Sequence, residues 1–447
     1  MTTGYLTGKK AAILTLGCKV NQYESDAMHK LLMDAGVSMV EFDDPADIYI
    51  VNTCSVTNMA DRKSRQMLHK AKKHNPDAVV VACGCYVQAD AQHVLEDYAV
   101  DLVLGNNVKN NIVDLLEEYY ARRQAEGMLQ MVDAETVPVT FMQDISRKAD
   151  YEEMRATVPE MTRAYVKVQD GCNQFCSYCI IPYTRGRIRS RAMEDVIKEV
   201  SDLAMNGFRE VVLTGIHLSS YGMDMAEHSS RLGELIGVVS SIDGIDRVRL
   251  GSLEPGIITE EFLQSLRENK KFCPHFHLSL QSACNETLKR MNRKYTIEQY
   301  MEKCDLIREY FDRPALTTDV IVGFPGETEE EFAVTVDNLE RLALYEMHIF
   351  KFSPRKGTVA EKMPGQIPEP VKTKRSEQLL AMTARHKQAY EESFRDDMLE
   401  VLVEEMITQD GLQYASGHTD NYILVRFPSD ADLVNQIVQV QNGKMMK

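Results

Sequence analysis

The stretch Asp170-Gly-Cys-Asn-Gln-Phe-Cys-Ser-Tyr-Cys-Ile-Ile-Pro-Tyr-Thr-Arg-Gly-Arg187 decides how the rest of the chain is read. Its cysteines, Cys172, Cys176 and Cys179, stand at C-x3-C-x2-C spacing in a short glycine-led loop. Such a loop can wrap three thiolates around three irons of a cubic [4Fe–4S] cluster. The fourth iron then has no protein thiolate and stays open to a small-molecule ligand, whereas a ferredoxin closes its cluster with a fourth cysteine. Zinc is the competing metal, but a structural zinc site wants four Cys or His ligands and no fourth lies nearby in sequence.

Strand-like and helix-like runs alternate on the carboxyl side of this loop. Strands are expected at 164–169, 210–215, 246–251, 275–281, 315–322 and 346–352, with helices between them. Six βα units are too few to close an eightfold barrel, so the expectation is an open (β/α)6 partial barrel whose working edge lies at the strand carboxyl ends. Four polar loops fall there: Leu213-Thr-Gly-Ile216, Gly251-Ser-Leu-Glu-Pro255, Ser279-Leu-Gln-Ser282 and Thr318-Asp-Val-Ile-Val-Gly-Phe-Pro-Gly-Glu327. Thr328 with Glu331 reads as a helix capping box. Cys273, Cys284 and Cys304 lack ligand-like spacing and read as bystanders, as do His217, His275 and His277. A long amphipathic helix over 370–394 precedes short strands near 398–405, 412–415, 421–427 and 437–440. Strands without intervening helices imply a small antiparallel β-barrel of the oligonucleotide-binding kind, or a generic β module.

On the amino side the pattern is a doubly wound parallel sheet. Strand runs at 11–16, 47–52 and 78–82 are followed by Cys18, by Cys54 and by the pair Cys83 and Cys85, and a short strand at 101–104 completes the unit. Each cysteine follows the carboxyl end of its strand, the edge where open parallel sheets bind ligands. Convergence on a second cluster and three buried apolar cysteines are equally compatible with that placement. Four regions result: 8–123, a linker at 124–157 with a short strand near 137–141, 158–385, and 386–447.

A chain of 447 residues with 44% hydrophobic content is a multidomain folded protein. It has no apolar run long enough for a membrane span and no apolar leader, so the cytoplasm is the expected compartment. Its 10 cysteines then read as thiols or metal ligands. A net charge of −16 argues against general nucleic-acid binding, but local basic patches remain. Six Lys/Arg and no acid lie between Arg62 and Lys73. Lys289, Arg290, Arg293 and Lys294 form another patch. Arg185, Arg187, Arg189 and Arg191 alternate, which would aim all four to one side of an extended segment.

The 170–187 stretch resembles the signature of radical S-adenosylmethionine (SAM) enzymes, and its Cys-Ile-Ile-Pro-Tyr-Thr-Arg-Gly continuation is similar to the methylthiotransferase branch. Leu16-Gly-Cys-Lys-Val-Asn-Gln-Tyr-Glu-Ser25, Asn52-Thr-Cys-Ser-Val-Thr-Asn58 and Gly84-Cys-Tyr-Val-Gln88 resemble the three cysteine motifs of that family's first domain. The resemblance implies Cys18, Cys54 and Cys85 as ligands of a second [4Fe–4S] cluster; Cys83 departs from the pattern. It implies SAM contacts at Tyr178, Gly215, Ser252, Gln281 and Asp319. The segment Gly417-His-Thr-Asp-Asn-Tyr-Ile-Leu-Val resembles a TRAM domain, a small RNA-binding barrel. The chemistry implied is replacement of an unactivated C–H bond by C–S–CH3. One cluster reduces SAM to a 5′-deoxyadenosyl radical, the other holds the sulfur, a second SAM methylates it, and a flavodoxin- or ferredoxin-type donor supplies electrons. The family's targets are isopentenyl-adenosine in tRNA, threonylcarbamoyl-adenosine (t6A) in tRNA, and an aspartate of a ribosomal protein. The wording around Cys18 and from Val56 to Gln66 is most similar to the t6A branch, which acts at C2 of the base beside the anticodon. Arg185, Arg187, Arg189 and Arg191 are then candidate contacts to RNA phosphates or to the threonyl carboxylate. An RNA-binding iron–sulfur sensor without turnover is the non-enzymatic alternative.

Overall fold

The computed structural model describes residues 4–125, 138–145, 150–156 and 162–441. They divide into two compact units. The first holds the described residues before 157 together with Gln169–Arg191 and Ser353–Thr358. The second holds Ala192–Phe352, the chain from Val359 onward and the described residues up to Val168. In this division the three-cysteine loop groups with the amino-terminal sheet.

The first unit is a parallel sheet of β1 (Lys10–Thr15), β2 (Ser38–Met39), β3 (Ile48–Thr53), β4 (Val79–Gly84), β5 (Leu102–Leu104) and β6 (Val139–Phe141), in the order β2-β1-β3-β4-β5-β6. Every residue of β3 and β4 is buried, as expected for strands covered on both faces. Helices α1 (Lys19–Asp34), α2 (Asn58–His74), α3 (Cys85–Ala89), α4 (Ala91–Leu95) and α5 (Ile112–Ala125) cover them. Helix α1 starts directly after Cys18, with Val20 and Tyr23 already buried in its first turns. Chain direction across the sheet reverses between β1 and β3, so Cys18 and Cys54 lie at the topological switch point, where such sheets bind ligands. The region read as a linker contributes β6, which pairs with β5 in parallel; Val137 lies outside the described residues.

The second unit is the partial barrel. β7 (Arg163–Asp170), whose last two residues pass into the first unit and pair with β8 (Arg189–Ser190), begins it. β9 (Glu210–Gly215) and β10 (Arg247–Leu250) follow β7 in one sheet, and β11 (His275–His277), β12 (Ala315–Val322) and β13 (Glu346–Lys351) form a second. Parallel bridges at Val248–Phe272 and Leu253–Leu278 join the two into one curved wall. After α6 (Ile181–Thr184) in the first unit, the barrel helices are α7 (Met193–Met205), α8 (Leu232–Ser240), α9 (Glu260–Glu268), α10 (Asn285–Arg290), α11 (Ile297–Tyr310), α12 (Glu329–Leu342) and α13 (Glu369–Glu392). Strand residues such as Val211, Val248, Leu316 and Val320 pack with Val200, Leu235, Leu263 and Leu339 of these helices in one continuous core. The Thr328–Glu331 capping box is present, and Thr296 with Gln299 forms another on α11.

The carboxyl-terminal strands β14 (Met398–Gln409), β15 (Leu412–Thr419), β16 (Leu424–Pro428) and β17 (Ile437–Gln441) form an antiparallel half-barrel in the order β16-β15-β14-β17. This sheet is fastened to the amino-terminal ends of the barrel strands. Arg247 donates to the carbonyls of His418 (3.0 Å) and Glu400 (2.8 Å), and Arg249 to those of Asp420 (2.8 Å) and Thr419 (3.1 Å). Glu210 takes the other side of Arg249 at 2.7 Å and pairs with Arg163 at 3.1 Å. Tyr422 stacks on His275 and His418, with ring centres 4.8 and 4.6 Å away. A buried ionic cluster of this kind leaves unpaired charge behind if one partner is removed, so the half-barrel is not a detachable tail. Among the described residues no helix is long and apolar enough to cross a membrane.

Candidate functional site

Cys18, Cys54 and Cys85 follow β1, β3 and β4 and converge in the first unit: Cys18 and Cys85 lie close enough to Cys54 to act on its ionisation. Burial pushes the Cys54 thiol up to about 11, with Arg185 pulling the other way. Gly17, at φ +110°, has no room for a side chain, since a Cβ there would sit 2.9 Å from the Cys54 sulfur. Asn106 donates to the Cys85 sulfur at 3.9 Å and to the Thr184 carbonyl at 2.7 Å. Cys83 is elsewhere. As a fully buried β4 residue it donates to the Val51 carbonyl of the neighbouring strand at 3.7 Å.

The loop after β7 is tightly wound. Gly171 has φ +72°, and a Cβ on it would meet the Arg187 carbonyl oxygen at 1.9 Å, so only glycine fits. Cys172 N–H donates to Gly186 O at 3.0 Å, Gln174 N–H to the Cys172 sulfur at 3.4 Å, and Cys179 N–H to Cys176 O at 2.9 Å. Phe175 adopts a left-handed backbone, φ 48°, and its ring meets Tyr183 edge-on at 5.7 Å. Cys172 is buried while Cys176, Tyr178 and Cys179 are half-buried.

Between the two cysteine groups runs a buried ionic link that sequence reading missed. Arg185 is fully buried and donates to Glu24 at 2.8 and 3.1 Å, to both Asp170 oxygens at 3.1 Å, and to Asn21 at 2.6 Å. Lys109, also fully buried, pairs with Glu24 and donates to Asn52 at 3.3 Å. Arg189 lies 3.6 Å from Asp170 and donates to the Arg185 carbonyl at 2.9 Å. Arg191 donates to Glu153 at 3.1 Å and to the Met154 carbonyl at 3.2 Å. The expected one-sided arginine row is thereby corrected. The segment is a short helix, a Gly186 turn and a two-residue strand. The acids of α1 and β7 draw Arg185 and Arg189 inside, and Glu153 with the Met154 carbonyl draws in Arg191. Arg187 alone reaches the surface, 4.5 Å over the Phe175 ring.

The cysteines, together with whatever group they hold, sit beside buried positive charge. Among the side chains directly linked, Glu24 and Asp170 face Arg185, Arg189 and Lys109, and Arg185 Nε with Arg189 Nε and Nη2 have no hydrogen-bond partner. Two sets of three thiolates beside surplus buried positive charge suit iron–sulfur clusters, which carry net negative charge with their cysteines.

Segment Ser353–Thr358 completes the first unit. Arg355 donates to Ser55 at 2.8 Å and Asn58 at 2.7 Å and pairs with Asp61, fixing the loop between Cys54 and α2. Of the basic residues on α2, Arg65 donates to the Tyr86 hydroxyl, and Lys70 and Lys72 pair with Asp43 and Asp101. Arg62, Lys63 and Lys73 remain exposed, and Arg62 and Lys63 line a surface depression of about 320 Å³ with Met59, Ala60 and Gln66.

In the second unit Gly215, Ser252 and Gln281 stand at strand carboxyl ends, open or half-open to solvent. Gln281 holds φ 73°, a left-handed conformation costly for a side-chain-bearing residue, while its backbone bonds with Asp319 and Ile321 on β12. The patch at 289–294 turns partly inward: Arg293 clamps Glu254 at 2.8 and 2.9 Å and Arg290 pairs with Glu331. Burial brings His217, beside them, down to about 4. Asp319 faces His277 and His348, so His277, read as a bystander, is not one. Burial alone would raise the Asp319 carboxyl, but the bonds from His277 and His348 outweigh it and hold it below the usual range.

A curved wall of six parallel strands with a C-x3-C-x2-C loop after its first strand is the radical SAM fold. Residues 166–339 match the radical SAM superfamily, and residues 10–105 match the family described as "Uncharacterized protein family UPF0004". In solved structures, the radical SAM methyltransferase TsrM of Kitasatospora setae shares the fold with TM-score 0.56 at 15% identity, over 79% of this chain and 74% of that one. Relatives include the threonylcarbamoyladenosine tRNA methylthiotransferases MtaB of Bacillus subtilis (strain 168), 37% identical over 96% of this chain and 93% of the relative, and of Aquifex aeolicus (strain VF5), 39% identical over 88% and 92%. The tRNA-2-methylthio-N(6)-dimethylallyladenosine synthase of Acetivibrio thermocellus is 36% identical over 97% and 89%. The chain belongs to the radical SAM methylthiotransferase family.

Proposed function

We propose that this protein is a tRNA methylthiotransferase that converts the C2–H bond of t6A into C–S–CH3. The observation that carries the chemistry is the presence, in one compact unit, of two cysteine triplets beside a buried surplus of cations. Relatives named for the two tRNA targets differ little in identity, so the choice of t6A rests on the wording around Cys18 and from Val56 to Gln66. That wording is structural as well. Asn21 and Glu24 hold Arg185, and Asn58 and Asp61 receive Arg355.

Two [4Fe–4S] clusters and SAM would supply the one-electron chemistry and the sulfur that no side chain can. Cys172, Cys176 and Cys179 would hold the SAM-binding cluster, and Cys18, Cys54 and Cys85 the other. Arg185, Arg189 and Lys109 offset the negative charge that such groups bring into a buried site. Tyr178, Gly215, Ser252 and Gln281 are assigned to SAM; the strained backbone of Gln281 supports its place there. Asp319, also implied for SAM, has His277 and His348 beside its two oxygens. Arg187 and the exposed Arg62, Lys63 and Lys73 are candidate contacts for tRNA phosphates. The carboxyl-terminal half-barrel would add RNA contacts of the TRAM kind. A flavodoxin- or ferredoxin-type donor and a reducing, cytoplasmic setting go with the cluster chemistry and with 10 cysteines read as thiols or metal ligands.

Cys85→Ala should lose about four of the eight irons per chain while SAM cleavage persists, and Cys83→Ala should keep all of them. Iron analysis and absorption spectra of reconstituted protein decide this; the reverse pattern would show that Cys83 is the ligand. The substrate is tested by turnover on tRNA carrying t6A, isopentenyl-adenosine or unmodified adenosine, with nucleoside mass spectrometry. Methylthiolation of t6A at least tenfold over the others is expected. Preference for the isopentenyl form, or transfer to a ribosomal protein, would refute the target; SAM uncleaved by loaded enzyme would favour an RNA-binding sensor.

A further inference from the structure

Three adjacent barrel strands bring together side chains that the radical SAM chemistry does not require. β11, β12 and β13 pair in parallel, with His277 opposite Thr317 and Asp319 opposite His348. Thr317 and Asp319 are two residues apart on one strand, so all four side chains leave the same face of the sheet. Leu316, Val320 and Val322 of the same strand join the core with the helices, which assigns the His–Asp face to the barrel interior.

His277 Nε2 lies 3.4 Å from Asp319 Oδ2, and His348 Nδ1 lies 3.1 Å from Asp319 Oδ1. The ligand atoms of all three residues fall within 4.8 Å of one another. Ligands bound tetrahedrally at about 2.0–2.1 Å stand about 3.3–3.4 Å apart. Each histidine nitrogen lies near that distance from a different Asp319 oxygen, and small side-chain rotations would draw the set together around one small cation. The far side of His277 is also built. Its Nδ1 is 3.0 Å from the hydroxyl of buried Thr317, which is 3.3 Å from His275 Nε2. A partner on the other ring nitrogen fixes tautomer and orientation, as around metal-ligating histidines. The three strands hold the donors rigidly, and exposure rises across the set, from 11% at His277 to 29% at Asp319 and 52% at His348. The open side leaves coordination positions to water or to an oxygen donor of a bound molecule.

We propose that His277, Asp319 and His348 form a divalent-metal site of the two-histidine, one-carboxylate kind, suited to Zn2+ and distinct from both cysteine groups. Imidazole and carboxylate donors favour a borderline ion, and three protein ligands leave a fourth position open. The structure contains no ion there; the spacing and second layer carry the assignment.

Full-length protein with both clusters reconstituted, so that the cluster cysteines are occupied, is equilibrated with buffered Zn2+ and analysed for zinc and iron. About one zinc per chain is expected beyond the iron. His348→Ala, at the half-exposed position, and Asp319→Asn should each lower zinc affinity at least a hundredfold with iron unchanged. Thr317→Val should lower it about tenfold, the effect of a lost second-layer partner. Zinc absorption-edge spectra should show only nitrogen and oxygen neighbours at about 2.0–2.1 Å. No zinc uptake by the wild type, zinc unaffected by His348→Ala and Asp319→Asn, or a sulfur neighbour at about 2.3 Å would each overturn the proposal.

Discussion

Reconstituted protein with Cys172, Cys176 and Cys179 all changed to Ala is expected to carry about four irons per chain in place of eight, and to lose SAM cleavage altogether. The three sulfurs come from one loop that closes on itself through Cys172 N–H to Gly186 O and Cys179 N–H to Cys176 O. Its backbone is set chiefly by Gly171, where a Cβ would collide with the Arg187 carbonyl at 1.9 Å, and by those main-chain bonds, with one further bond from Gln174 N–H to the Cys172 sulfur. The Ala variant should therefore keep its loop and lose only the ligands. Cys18, Cys54 and Cys85 come from three separate strand ends, so their cluster should survive. Quantifying 5′-deoxyadenosine after chemical reduction measures the first consequence, and iron analysis the second. SAM cleavage persisting in the triple variant would mean that the radical site lies elsewhere.

Glu24→Ala should destabilise the first unit by about 3–5 kcal/mol, the cost of stripping one partner from a buried ion group. Glu24 is 1% exposed and touches both Arg185 and Lys109, each itself fully buried. Removing it leaves Asp170 alone against Arg185 and Arg189, and Lys109 with only the Asn52 oxygen at 3.3 Å. Water cannot repair the loss without opening the site. Changing Arg185 to Met in the same chain should recover part of the loss, because it removes a cation that Glu24 no longer balances. Urea unfolding of cluster-free protein, followed by circular dichroism, measures both. A Glu24→Ala effect under 1 kcal/mol would show that the link contributes little to holding the cysteine loop on the sheet.

Some features were readable because their causes are local. Alternation of apolar runs with helical stretches sets strands and helices through neighbouring residues. Most strand ends of the first sheet and the barrel fall within two residues of expectation, whereas β11 stops early at His277 and β14 and β15 run on to Gln409 and Thr419. The three-cysteine loop was readable for the same reason, since its spacing and its obligatory Gly171 lie within one turn of chain. The placement of Cys18 and Cys54 after β1 and β3 also carried over, because carboxyl ends of parallel strands always share one edge.

What failed to show in the sequence depends on partners far away along the chain. Arg185, Arg189 and Arg191 look like a surface row until Glu24, Asp170 and Met154 are placed beside them, and desolvation then turns phosphate-seeking cations into internal ones. Arg355 joins the first unit across most of the chain through Ser55 and Asn58. The division between Cys83 and Cys85 is a matter of the pleat. One is a strand residue turned to Val51, the other opens a helix facing Cys18 and Cys54. His277, Asp319 and His348 lie on three different strands, and only the parallel register of β11, β12 and β13 puts their donors within reach of one another. The sequence by itself determined the elements, their order and the cysteine loop, because each follows from short-range periodicity and backbone sterics. Only tertiary structure decided which charges are buried, which cysteine faces its fellows and which histidines meet an aspartate, because register and desolvation are properties of chain segments brought together.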